Sequence, residues 1–199
     1  PTISNHERSL ASIAEDETNS DGTTVRDILD SAGTESDPEG ATLGVVVENV
    51  DDTNGRWEHS TDGGSNWQPT GDTLHGDGLL LDETARLRFV PDDDFSGTSD
   101  LTIFAWDGRE GASGDTIDTN VAGPSRPLSA STATATITVD DAPEVDTIER
   151  VDGESNPTNA DELDFDVSFT DEVSGVDAND FQVSGDATGQ ASDVSGSGD

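Results

Sequence analysis

Residues 88 to 108 limit the possible folds more than any other stretch. Arg88-Phe89-Val90-Pro91 reads as an apolar strand, Asp92-Asp93-Asp94-Phe95-Ser96-Gly97 as a carboxylate-rich corner, and Leu101-Thr102-Ile103-Phe104-Ala105-Trp106 as a second strand running into Asp107-Gly108. The stretch holds three of the six phenylalanines and one of the three tryptophans. Only 29% of the chain is hydrophobic and 5% aromatic, below the usual share of a globular domain. A core therefore has few places to form, and this is the best of them.

The shortage of apolar residues is matched by an excess of carboxylates. Asp and Glu number 45 against 8 basic residues, all arginine, for a formal net charge of -37. At moderate ionic strength that charge repels itself, whereas molar salt shortens the Debye length to about 3 Å. Two readings stay open and are compatible: adaptation to high salt, and carboxylates that serve as cation ligands. A basic nucleic-acid surface cannot be assembled from eight scattered arginines. With no cysteine, thiol catalysis and zinc-thiolate sites are excluded. No run approaches the roughly 18 apolar residues of a membrane-spanning helix. A start at Pro1 reads as a processed product or a piece of a longer chain.

Along the chain the pattern is that of short strands. Ser9 to Ala14 is a plausible first strand, and in Thr23-Thr24-Val25-Arg26-Asp27-Ile28-Leu29 the apolar spacing fits one helical turn or a short strand. A β-branched strand follows over 41–50. Asn54-Gly55 is a hairpin signal leading into Arg56 to Ser60, so a meander is expected here. Ser60-Thr61-Asp62-Gly63-Gly64-Ser65-Asn66-Trp67 fits the S-x-D-x-G-x-x-W pattern called the Asp-box. A single copy makes it a structural turn, with Asp62 bonding its own backbone and Trp67 packing inward. Leu79-Leu80-Leu81 and Ala85 to Val90 give two more strands, residues 111–127 a long loop, and Ser131 to Val139 a closing strand.

Asp140-Asp141-Ala142-Pro143 marks a boundary, because a proline after a strand and two carboxylates is poor sheet material. The expected domains are 1–141, a β-sandwich, and 142–199, a smaller β unit. In the latter, Val145 to Val151, Leu163 to Phe169 and Phe181-Gln182-Val183 read as strands, too few for a complete core. The fold class is all-β, an antiparallel sandwich followed by an incomplete second unit.

Several pieces occur in an order that resembles a known family. They are Glu15-Asp16-Glu17 after the first strand, Asp37-Pro38-Glu39-Gly40 before a strand, the corner at Pro91, Phe95 and Gly97, Ala105-Trp106-Asp107-Gly108, and Val139-Asp140-Asp141-Ala142-Pro143. Together they resemble the cadherin-like repeats of very large microbial surface adhesins. Asn156-Pro157-Thr158-Asn159-Ala160, the strand to Phe169 and Val173 to Asp177 resemble the start of a bacterial Ig-like repeat. The resemblance implies an extracellular, cell-surface stalk of tandem cadherin/Ig-like sandwiches whose junctions Ca²⁺ stiffens. Its partners would be neighbouring repeats, surface glycans or other cells.

Calcium takes about six to eight oxygen ligands, so a site needs several acidic segments at one end of a sandwich. If strands run end to end, Glu15, Asp16, Asp93, Asp140 and Asp141 come to one end and Asp37, Glu39 and Asp107 to the other, with Asp171 able to contribute from the second unit. Acidic loops are also what this composition places everywhere; Asp115, Asp118, Asp193 and Asp199 read as solvated surface. His6, His59 and His75 lie in unrelated contexts, and little apolar material is available to enclose a substrate, so no enzyme is expected. Two other functions remain: a glycan- or partner-binding module using Trp57 or Trp67 as a stacking platform, and a subunit of a filament or surface layer completed by a neighbour's strand.

Overall fold

Short runs of valine and leucine, closed off by Asp, Gly and Pro turns, form strands throughout. The computed structural model describes residues 1–32, 35–71, 76–121, 127–151, 163–170, 173, 176–184 and 189–196. His75, Asn156 to Ala160, Asp171 and Asp199 lie outside the described residues. Strands make up 43% of the structure and helix 7%, an all-β fold with several antiparallel sheets. The chain divides into two compact units, Pro1–Asp141 and Ala142–Asp199.

The first unit contains β1 (Arg8–Ser9), β2 (Ile13–Ala14), β3 (Thr23–Thr24), helix α1 (Val25–Asp30), β4 (Gly44–Val50), β5 (Gly55–Ser60), β6 (Gln68–Pro69), β7 (Asp77–Leu81), β8 (Arg86–Pro91), β9 (Gly97–Trp106), β10 (Thr116–Asp118) and β11 (Leu128–Asp140). The larger sheet has the order β1-β11-β9-β4-β7-β10, with β2 also on β11, and the smaller one β3-β8-β5-β6. All pairs are antiparallel except that β1 and β2 run parallel to β11. Thr23 to Leu29 takes both forms that its pattern allowed. Thr23–Thr24 pairs with β8, and the Thr24 hydroxyl then caps α1 by accepting from the Asp27 amide.

The expected meander over β4 and β5 does not occur. β4 pairs with β9 and β7, whereas β5 pairs with β8 and β6. The Asn54-Gly55 turn therefore carries the chain from one sheet to the other. The 92–96 corner carries it back, and the two connections are tied where the Asp92 amide donates to the Asn54 carbonyl, 3.0 Å away. Asp94 closes that corner with φ at +60°, a conformation that Asp tolerates better than most side chains.

Between the sheets, Val45, Val47, Leu81, Leu101, Ile103, Ala135 and Ile137 meet Trp57, Leu87 and Phe89, with Val25, Ile28 and Leu29 of α1 in the same cluster. Phe89 lies 5.3 Å from Trp57 and 6.2 Å from Phe95, ring centre to ring centre. Phe104 and Trp106 do not join this core. Strand alternation turns them to the opposite face, where they form a second cluster with Val46, Leu80 and Leu128. The stretch read as a loop covers that face. Leu80 exchanges backbone hydrogen bonds with Asp115 and Gly114, the Trp106 indole donates to the Glu110 carbonyl, and β10 pairs with β7.

In the second unit β12 (Val145–Arg150) and β13 (Phe165–Phe169) form an antiparallel pair. Ile148 faces Val167 across the ladder, and Ile148 and Phe165 remain 61% and 54% exposed. Phe181-Gln182-Val183 is not a strand; among the described residues its backbone has no ladder partner, and a strand requires one. All the large hydrophobic side chains exposed among the described residues belong to this unit.

Phe89→Ala should destabilise the first unit by about 3–5 kcal/mol, whereas Phe165→Ala should change it by less than about 0.5 kcal/mol. Urea unfolding followed by tryptophan fluorescence reads this directly, because all three tryptophans lie in the first unit.

Candidate functional site at the ends of the first unit

Strand direction sorts the candidate carboxylates into two sets. β9 starts opposite the end of β11, with Gly97 facing Val139, and finishes opposite its start, with Trp106 facing Leu128. Asp93, before β9, and Asp107, after it, therefore lie at opposite ends of the unit.

At the Asp107 end the structure brings together Asp37, Glu39 and Asp107. Asp37 opens the turn before β4: its Oδ1 accepts from the amides of Glu39 at 2.8 Å and Ala41 at 3.3 Å. Its Oδ2 lies 3.3 Å from the Pro1 amine. Burial pushes the Asp37 carboxyl up, but the amides of Ala41 and Glu39 and the Pro1 ammonium outweigh it and leave the pKa below the ordinary value. Asp107 Oδ1 accepts from the Arg109 amide at 3.1 Å. The Arg109 guanidinium pairs with Glu39 and lies 3.7 Å from Asp107 Oδ2, and the hydrogen bond and charge of Glu39 raise the Arg109 pKa. The Asp37 and Asp107 side chains are only 2% and 3% exposed. Here, then, the acidic set surrounds a cation supplied by the chain itself.

At the other end Glu15 and Asp140 are adjacent, since the Glu15 amide donates to the Asp140 carbonyl at 2.9 Å. Asp16 and Asp141 are exposed beside them. Asp93 is exposed on the intersheet corner at the same end. Among the described residues, no three acidic or histidine side chains converge closely enough to hold a metal ion.

The other motifs have structural roles. Asp62 organises the Asp-box turn. Its Oδ1 accepts from Ser60 Oγ at 2.8 Å and from the Asn66 amide at 2.9 Å, and its Oδ2 accepts from Asn66 Nδ2 at 2.6 Å. The donors on Asn66, side chain first, hold its pKa down at about 2. Trp67 is half-buried rather than in the core, because Arg88 lies over its ring at 4.1 Å. Arg88 is pinned there by Glu58, its Nη2 2.7 Å from Oε2. Trp57 is buried, and its indole donates to the Asp51 carbonyl and to Ser99 Oγ, each at 3.0 Å. His6 bonds Ser4 on the surface. His59 is buried, and burial lowers its pKa.

Comparison with protein-family models, curated proteins and solved structures finds no match to this chain.

Arg109→Gln leaves the buried Asp107 and the exposed Glu39 without their shared counter-charge. It should lower the melting temperature by about 2–4 °C at low salt, and by less in molar NaCl. For Asp62 the folded pKa lies below the unfolded value of 3.8. Its contribution to stability is complete above about pH 4 and is lost as pH falls toward 2. Asp62→Asn should flatten that limb of the pH–stability curve, and an NMR titration should place the carboxyl midpoint near 2.

Proposed function

We propose that the chain is a non-enzymatic, extracellular segment of a long tandem-repeat surface protein, serving as a stalk or adhesive spacer. The observation that carries this reading is where the chain enters and leaves the first unit. Its opening segment lies beside Asp37, where Thr2 bridges to Ser36, and its closing strand finishes at the opposite end, at Asp140, an arrangement that suits repeats joined end to end. β11 spans roughly 40 Å between those ends.

Calcium is part of the proposal, at the end where Glu15 and Asp140 meet and where Asp16, Asp93 and Asp141 stand exposed. The end holding Asp37, Glu39 and Asp107 already has Arg109 as its cation. Salt adaptation fits the net charge of -37 and is compatible with the metal role. A glycan platform is less favoured, since Trp57 is buried and Arg88 covers a face of Trp67. A second reading, a filament subunit completed by a strand from a neighbour, draws on the exposed Ile148 and Phe165 of β12 and β13.

Calorimetry of the full chain should show CaCl₂ raising the melting temperature well beyond NaCl of matched ionic strength, with the increment reduced in Asp140→Asn. Equal effects of the two salts remove the metal from the reading. Concentration-dependent assembly, abolished by Phe165→Ser, would favour the filament.

A further inference from the structure

The first strands of the unit run parallel to its last strand, and this has a mechanical consequence. β1 and β2 lie on β11 with Arg8 opposite Ala135, Ser9 opposite Thr136, Ile13 opposite Val139 and Ala14 opposite Asp140. Two further backbone hydrogen bonds extend the ladder, from the Leu10 amide to the Thr136 carbonyl and from the Glu15 amide to the Asp140 carbonyl, both 2.9 Å. One extra residue between Ser9 and Ile13, relative to Thr136 and Val139, makes a bulge, and there the Ala11 amide bonds Thr23 Oγ1 at 3.1 Å. The segment is thus tied to both sheets.

Its side chains are anchored as well. Ile3, Leu10 and Ile13 are buried in the main core. Arg8 is 0% exposed, and its guanidinium donates to the Ser4 and His6 carbonyls at 3.2 and 2.9 Å. Displacing the segment along β11 would drag a buried arginine and three apolar side chains through a packed interior, which does not deform continuously.

We propose that β1 and β2 with β11 form a shear clamp that carries tension through the first unit. Tension applied upstream of Arg8 and downstream of Asp140 acts along the strands in opposite directions. The parallel ladder then resists as a set, and the bonds must break together. Tension applied at Asp16 and Asp141 acts at one end of the same ladder and opens it bond by bond. Forced unfolding follows the unfolding barrier and not the equilibrium stability, so the direction of pull changes the rupture force of one unchanged fold. The use assigned to the clamp rests on the stalk reading; its geometry does not.

The chain has no cysteine, so paired cysteine handles attach uniquely. Single-molecule pulling of the full chain with handles at Asn5→Cys and Asp141→Cys should give a rupture force severalfold higher than with handles at Asp16→Cys and Asp141→Cys. All three positions are exposed, and matched melting temperatures establish that both variants fold alike. Adding Leu80→Ala, which removes packing on β7, separated from β11 by β9 and β4, should lower the melting temperature while keeping the ratio of the two forces. Equal forces, or a lower force for the Asn5 pair, overturn the clamp. A clamp found without a specific calcium response would leave this inference standing and remove calcium from the stalk reading, and the converse result would do the reverse.

Discussion

Phe89 stands between Trp57 and Phe95 in the space where the two sheets close on each other, and the remainder of the first unit depends on that contact. Aromatic side chains bury more area than any others and add directional ring contacts. In a chain 5% aromatic, Trp57 and Phe89, with Phe95 at their edge, are the aromatic part of a core that is otherwise aliphatic. The two connections that cross between sheets meet beside this cluster, through the Asp92–Asn54 backbone bond. The crossing is thus held by packing from inside and by hydrogen bonding at its rim. Trp57 belongs to both, since its indole reaches the Asp51 carbonyl and Ser99.

Two arginines, Arg88 and Arg109, stand beside largely buried carboxylates, Glu58 and Asp107. Glu58, half of a cross-strand pair with Arg88, is held by Arg88 and Arg56. Burial pushes its pKa up, but the arginine bonds outweigh that and leave it lowered. Arg109 occupies the corresponding place between Glu39 and Asp107. Among the described residues, most remaining carboxylates face solvent, where counter-ions can screen them. The carboxylates gathered around Arg109 are therefore partly compensated within the fold, and Asp16, Asp93, Asp140 and Asp141 stand open to solvent. One strand, β9, links the two ends.

Much of the first unit was legible because its strands obey local rules. Leu79 to Leu81, Ala85 to Val90 and Ser131 to Val139 are short apolar or alternating runs between turn residues, and each lies in a strand or at its edge. The turn chemistry of Asp62 was also readable, because its partners lie within a few residues of it in sequence. Sheet membership was not readable: Asn54-Gly55 has the same chemistry in a hairpin as in a crossing between sheets. Nor did alternation reveal that both faces of β9 are covered, since the cover comes from residues 110–118, whose composition is that of a loop.

Sequence alone determined the all-β class, the positions of the longer strands of the first unit and the ends to which its candidate carboxylates go, because strand periodicity and strand direction follow from local backbone geometry. Tertiary structure decided which carboxylates meet. Arg109 stands within ion-pair distance of Glu39, seventy residues earlier in the chain, only because β4 and β9 are neighbours. It also decided that the opening strands lie parallel to the closing one. That pairing depends on contacts between residues more than a hundred positions apart, and no local pattern encodes it.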